Sequence, residues 1–312
     1  MNKPLPTFGR YLKRKFKSRV QKLPVGLSGF TCPNIDGTVA KGGCTFCSNE
    51  SFSPNLAQNA KITLNLTSKK NPLLEQQLHE LDTQIKQTQI AFKKRGIKKF
   101  LVYFQSFTNT YAPFSTLKIL YEKALSYPDV VGLSIGTRSD SVCDEVYDYL
   151  AELSKTKEIW IEFGVQSIFD ETLKKINRGH NAANAKEAIL KAKAKGLNVC
   201  AHLIFGLPDE TKEMMLQTAK EVYSWGIDSV KYHPLYVVKN TMLAKDLKSG
   251  KFTPISKEEY ADVLKEAIKI KPEHIIIQRI TAGIDDDTLL APDWCGWSKN
   301  KMMAFLNKEL NS

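Results

Sequence analysis

The sequence predicts an α/β fold, a partial TIM barrel of six β-α units, (β/α)6, with a basic N-terminal arm and an α+β C-terminal extension. Three observations carry this expectation. Short β-branched and aromatic runs alternate with longer helical stretches along the middle of the chain. Most of the short runs are nearly continuous in apolar residues, as strands covered on both faces are. No Gly/Ser linker divides the alternation, and 312 residues at 42% hydrophobic are enough to bury one large core.

The arm, residues 1–23, holds seven basic residues between Arg10 and Lys22 and no acidic one, out of 45 Lys+Arg against 33 Asp+Glu in the chain. Such a run neutralises phosphates or forms a solvated surface. Phe8, Tyr11 and Phe16 interleave with the charges and serve either to stack on bases or to anchor the arm. The barrel is placed at 24–240. Its strands are "PVGLSG" (24–29), "KFLVYF" (99–104), "VVGLSI" (130–135), "EIWIEFGV" (158–165), "NVCAHLIF" (198–205) and "SVKYHPL" (229–235). Between them, Leu74, Leu78, Leu81 and Ile85 form a helical stripe, a second helix opens with a cap at Asp140, and others fit 115–126, 181–195 and 210–225. In the extension, 241–312, two helical segments precede a strand at 274–280 and an irregular tail.

The chain shows neither the apolar core of a signal peptide nor a run of about 20 apolar residues that would span a membrane. It reads as a cytoplasmic protein with no membrane partner, in which six scattered cysteines are not a disulfide framework. Cys32, Cys44 and Cys47 bunch as C-x11-C-x2-C in the loop after the first strand, where a parallel barrel keeps its chemistry. Three thiolates suit a 4Fe-4S cluster with one open iron. Zinc completed by a remote His180, His202 or Cys200 is the other use of the same spacing. Cys143, Cys200 and Cys295 stand alone and read as small buried hydrophobes, with Cys295 between Trp294 and Trp297 placed to close over the barrel mouth.

"CTFC", on the first loop of a six-repeat barrel, resembles the radical S-adenosylmethionine superfamily, although that family's commonest spacing is C-x3-C-x2-C. "IEFGVQSIFDETLKKINRGH" (161–180), "AHLIFGLPDET" (201–211) and "VKYHPLYVVKNT" (230–241) resemble the fourth to sixth barrel segments of the branch that includes the elongator catalytic subunit and of the coproporphyrinogen dehydrogenases. The resemblance implies two cofactors, a 4Fe-4S cluster on Cys32, Cys44 and Cys47 and S-adenosylmethionine chelated to its unique iron. Reductive cleavage of the latter yields a 5'-deoxyadenosyl radical that abstracts a substrate hydrogen. By the same resemblance Phe46 packs near the adenine, Arg178 pairs with the methionyl carboxylate, Gln166 reaches the ribose hydroxyls, and Gln105 and Ser106 receive the amino group.

Gly136 stands where the elongator-like branch has a glutamate, which passes any ribose contact there to Ser134, Arg138 or the backbone. Lys231, with His233 and Lys239, faces cofactor or substrate or else lies outside the site; Glu162 is read as a buried partner of Arg178 or Lys231. The eleven-residue spacer, 33–43, is expected to fold over the barrel mouth. Implied partners are tRNA and an electron donor such as flavodoxin or ferredoxin. The implied reaction is wobble-uridine C5 remodelling, from carboxymethylaminomethyl toward aminomethyl. A small metabolite or tetrapyrrole substrate, or a non-enzymatic iron-sulfur or zinc module, are the alternatives.

Overall fold

Seven parallel strands curl into one open barrel in the spatial order β1-β2-β3-β4-β5-β6-β8. They are β1 (Val20–Val25), β2 (Lys99–Phe104), β3 (Val130–Thr137), β4 (Glu158–Gln166), β5 (Asn198–Phe205), β6 (Ser229–Pro234) and β8 (Ile276–Arg279). This is a computed structural model that describes residues 5–48, 62–284 and 286–311. Residues 1–4 of the arm, and 285 and 312 of the extension, lie outside the described residues.

The crossovers carry α2 (Leu74–Lys93), α3 (Phe114–Leu125), α4 (Asp144–Ser154), α5 (Asp170–Lys175) with α6 (Ala182–Ala194), and α7 (Lys212–Ser224). Alternation along each strand sorts its residues between two environments. Leu23, Val102, Ile135, Ile161, Leu203 and Tyr232 join the main core, together with Leu81, Leu117, Leu150 and Val222 from the helices. Each such side chain contributes about 1.5–3 kcal/mol by leaving water. The alternate residues Lys22, Tyr103, Ser134, Glu162, His202 and Lys231 meet inside the barrel.

The first strand lies four residues before its expected place. Gln21 and Lys22 break the apolar run there, yet Val20–Val25 pairs in register with Lys99–Phe104. The expected segment 24–29 instead leaves the sheet after Val25. Gly26 exchanges hydrogen bonds of 2.9 and 2.7 Å with Gln84, and Ser28 O accepts from Gln77 Nε2 at 2.6 Å, so α2 side chains satisfy this backbone. The boundary at 23/24 thus falls inside β1, and Lys22 belongs to the barrel interior. Asp140 caps no helix: α4 starts at Asp144 after Cys143, and Asp140 pairs with Arg138.

The rest of the arm forms α1 (Phe8–Phe16), which plugs the barrel end opposite the strand C-termini. Phe8 and Leu12 are buried with Val20, Leu101, Trp160 and Cys200, and Phe8 and Tyr11 meet Trp160 edge-on at 5.0 and 5.8 Å. Tyr11 Oη donates to Glu158 at 2.9 Å, and Lys15 pairs with the same carboxylate at 2.5 Å. These aromatics anchor the arm. The Ile277 amide donates to Pro6 O at 2.8 Å, and Lys22 Nζ donates to Gln278 at 2.7 Å, so the segment leading into α1 and β1 both tie to β8.

Beyond β6, a short β7 (Val237–Val238) pairs antiparallel with β9 (Leu289–Ala291). Helix α8 (Met242–Lys248) and α9 (Lys257–Lys269) follow β7, α9 opening on a Ser256–Glu259 capping box. A 3-10 turn at Asp293–Gly296 and a final helix, α10 (Lys299–Asn311), complete the chain. The segment expected to be irregular therefore contains β9 and the 3-10 turn, and the strand expected at 274–280 becomes the seventh of the barrel. No helix among the described residues is long and apolar enough to cross a membrane.

Candidate functional site

The loop after β1 brings Cys32, Cys44 and Cys47 to the wall of one cavity of about 600 Å³ at the strand C-termini. Residues 33–43 lie at its mouth. Ile35 and Gly43 line it, Gly43 N donates to Asn34 O at 2.8 Å, and Tyr111 Oη donates to Thr38 at 2.8 Å. The turn after α5 holds the spacer down: Asn177 Nδ2 donates to the carbonyls of Lys41 and Gly43 at 3.0 and 2.7 Å. Gly179, at φ +80°, lies so close to the spacer that a Cβ would meet Asn34 Oδ1 at 2.2 Å and Val39 Cγ1 at 2.9 Å. Only glycine suits both conditions.

Two buried guanidinium groups flank the sulfurs. Arg138 Nη1 lies 3.8 Å from Cys32 Sγ and donates to Arg178 O at 2.8 Å, while its other edge forms a two-pronged pair with Asp140 at 2.8 and 2.6 Å. Arg178 Nη1 lies 3.8 Å from Cys44 Sγ and its Nη2 donates to Gly164 O at 2.6 Å. Gly164 makes room for this, since a Cβ there would stand 2.8 Å from both Arg178 Nη2 and Gln166 Nε2. Arg178 Nε and Gln166 Oε1 are buried without a hydrogen-bond partner, a condition that costs about 1–3 kcal/mol per group until a ligand supplies one. Burial, then Cys44 and Cys32, push the Cys47 thiol up to about 12; a coordinated cation inverts that preference. Burial and the two arginines hold His180 down at about 3, so it stands neutral beside them.

Below lies an ion cluster built on Glu162, which is fully buried. Its Oε1 accepts from Lys22 Nζ at 2.6 Å and from Ser134, and its Oε2 accepts from His202 Nε2 at 2.8 Å and from Lys231. Burial alone would raise this carboxyl, but Lys22, Lys231 and His202 together hold it well below the usual range. Burial lowers Lys22 to about 8 against the pull of Glu162, and burial with Lys231 lowers His202 to about 4. Tyr103 accepts from Lys231 at 3.1 Å, and both lysines sit 4.5 Å from its ring centroid.

The cavity thus gathers Phe46, Gln105, Arg138, Gln166, Arg178 and Lys231 around the three cysteines. Ser106 and Ser134 are buried outside its lining, Ser134 being taken up by Glu162 and Lys22. Lys239 is exposed and pairs with Asp287 at 3.0 Å. Glu162 pairs with Lys231 and Lys22, not Arg178, and His202 points into the barrel. Cys295 is buried behind the cavity wall, its carbonyl accepting from Ile284 N at 3.1 Å. His233, named with Lys231 from the sixth segment, lines the cavity too, whereas Tyr103, Phe107 and Arg279 line it without having been singled out by a motif. For Tyr103 the available signal was strand parity; Arg279 carried none, because a register shift between β6 and β8 turns both it and Gln278 inward, and Phe107 lies in a loop at φ +62°.

Among the described residues, the group of three His, Cys, Asp or Glu ligand atoms within 4.8 Å of one another is Glu162, Cys200 and His202. It is no metal site, because Lys22, Lys231, Ser134 and His202 already occupy both oxygens of Glu162. The sulfurs of Cys32, Cys44 and Cys47 do not all lie within that limit of one another. Tetrahedral zinc at 2.3 Å from each sulfur draws thiolates to within about 3.8 Å of one another. A four-iron cluster spreads its thiolates more widely, and the two guanidinium groups suit its negative charge. The residues present therefore fit a cluster.

Comparison with known proteins agrees. Residues 37–222 match the sequence model of the Radical SAM superfamily, and residues 227–312 match that of the Radical_SAM C-terminal domain. Protein YhcC of Escherichia coli K12 is 38% identical over 296 residues, 95% of this chain and 89% of that protein. A tRNA uridine(34) acetyltransferase of Methanocaldococcus infernus is 34% identical over 157 residues, 49% of this chain and 29% of that enzyme. The solved structure of M. infernus Elp3 superposes with a TM-score of 0.58 over 93% of this chain and 63% of that one, at 20% identity, a likeness of fold.

Proposed function

The chain belongs to the radical SAM superfamily, and from that premise we propose that it modifies tRNA, remodelling the wobble-uridine C5 side chain from carboxymethylaminomethyl toward aminomethyl. Enzymes of this family use a 4Fe-4S cluster and S-adenosylmethionine. Together these supply a 5'-deoxyadenosyl radical that removes a hydrogen atom from substrate.

The chain's own residues hold that pair in place. Cys32, Cys44 and Cys47 ligate the cluster, and Arg138 and Arg178 offset the charge of the thiolates. Arg178 Nε and Gln166 Oε1 offer the unmade hydrogen bonds that a carboxylate and a ribose hydroxyl complete. Phe46, packed against the apolar cluster that includes Leu173 and Ile176, presents an apolar wall beside them. The spacer on the Asn177–Gly179 turn narrows the mouth and keeps water from the reacting atoms.

The observation that carries the substrate is the 157-residue kinship with a tRNA uridine(34) enzyme. Arg10, Lys13, Arg14 and Lys17 on and beside α1 add a basic surface, at the end of the barrel remote from the cysteines. Six of its seven strands have six to nine residues, which makes that barrel about 20–30 Å tall, a span that a folded tRNA bridges. An unidentified flavodoxin- or ferredoxin-like donor supplies the electron. Nucleoside mass spectrometry of tRNA from a deletion strain tests the reading. It predicts that carboxymethylaminomethyluridine accumulates at the wobble position and its aminomethyl products vanish; unchanged wobble uridines reject it.

A further inference from the structure

We propose that the inner end of the cavity is a carboxylate-binding subsite, in which the Arg279 guanidinium, joined by His233 Nε2, receives an acid group of the substrate. This rests on the reading above only in that the substrate enters the cavity beside the cysteines.

Arg279, the last residue of β8, lines that cavity and is exposed to it. Among the described residues its side chain makes no hydrogen bond or ion pair, and the carboxylates nearby among those residues cannot serve it. Both oxygens of Glu162 are taken by Lys22, Ser134, His202 and Lys231, and Asp286, at the mouth, accepts from the backbone and hydroxyl of Thr288. His233 lies parallel to His202, ring centroids 5.9 Å apart, and its Nε2 is buried with no partner. Burial, then Arg279, hold His233 well below the ordinary imidazole range, so it is neutral and in its Nε2–H tautomer donates one hydrogen bond.

The charge count points the same way. Among the described residues, Lys22, Lys231 and Arg279 face one buried carboxylate, Glu162, with Asp286 at the cavity mouth, which leaves one positive charge in excess in a partly enclosed space even when Asp286 is counted. An entering anion relieves that imbalance. Its class follows from the donors. A planar guanidinium fork with one further N–H matches the two oxygens of a carboxylate. A phosphate dianion calls for more free cations than this floor offers, because both lysines are committed to Glu162.

The test uses the full chain, reconstituted with its cluster and S-adenosylmethionine, and measures binding by calorimetry. The probes are 5-carboxymethylaminomethyluridine and its methyl ester, N-acetylglycine and its methyl ester, and inorganic phosphate, each against wild type, Arg279→Gln and Arg279→Lys. Each acid is expected to bind about tenfold more tightly than its ester, as one charge-assisted hydrogen-bonded pair warrants. Arg279→Gln brings that ratio close to one, and Arg279→Lys leaves it intermediate. A ratio that survives in Arg279→Gln overturns the subsite, as does Arg279-dependent phosphate binding tighter than that of N-acetylglycine. If N-acetylglycine discriminates through Arg279 while neither nucleoside binds, the subsite stands and the wobble-uridine reading falls. If the deletion strain shows the predicted nucleosides while Arg279→Gln keeps the acid-to-ester ratio, the reverse holds. Loss of an unpaired cation leaves the unfolding temperature unchanged or raised; should Arg279→Gln not fold, Arg279→Lys carries the comparison.

Discussion

At the scale of single residues, Glu162 is the pivot of the barrel interior. Removing its charge leaves Lys22 and Lys231 facing each other without compensation, and breaking a buried ion pair on one side costs about 3–5 kcal/mol. Glu162→Gln is expected to lower the unfolding free energy by about that much in urea titrations at pH 7. His202 sets a pH window. Its folded value of about 4 lies below the ordinary 6.5, so as pH falls the unfolded chain takes up the proton first. Stability is fully present above pH 6.5, declines between 6.5 and 4, and changes no further through this group below 4. Urea midpoints measured across that window will fall in wild type and fall less in His202→Asn. Arg178 gives a third test. Arg178→Lys keeps the charge but loses the planar fork, and S-adenosylmethionine binding by the reconstituted protein is expected to weaken about tenfold or more.

At the scale of elements, α1 shows how a charge run and a structural plug share one segment. Its apolar side closes the barrel floor and its basic side faces solvent. Leu12→Ala, at a site 1% exposed, is expected to cost about 2–5 kcal/mol. Lys13, Arg14 and Lys17 changed together to alanine are expected to leave stability within about 0.5 kcal/mol. The same change will reduce the salt dependence of tRNA binding by a slope of about 2, since each phosphate contact contributes about 0.7–0.9. Lys15 is left in place because it pairs with Glu158. An unaltered slope would assign this surface to solvent alone.

At the scale of the whole molecule, what the sequence disclosed follows from what local patterns encode. Strands at 99–104 and 198–205 stand at their expected bounds because their apolar runs are long and flanked by turns. The first strand was displaced because Gln21 and Lys22 read as surface, and only the Glu162 opposite, 140 residues away, holds the half-buried Lys22 inside the barrel. Asp140 has the composition of a cap but is captured by Arg138, a choice made by tertiary contact. The cysteines were legible because their chemistry is local. Much of the cavity floor was not: Tyr103 and Arg279 sit in no motif, and which way His202 and His233 point depends on a strand parity that no single segment reveals. The helix at Lys299–Asn311 escaped pattern reading because only Met302 and Leu306 of it are buried.

The central claim is that three thiolates hold a cluster that cleaves S-adenosylmethionine in the cavity beside Arg178 and Gln166. Its most direct test is anaerobic reconstitution of wild type and of the Cys32→Ala/Cys44→Ala/Cys47→Ala variant, followed by iron and sulfide analysis and a dithionite assay for 5'-deoxyadenosine. Wild type is expected to bind iron and sulfide in equal amounts and to form 5'-deoxyadenosine, and the triple variant to do neither. A wild-type protein that takes up zinc alone and leaves S-adenosylmethionine intact would contradict the account.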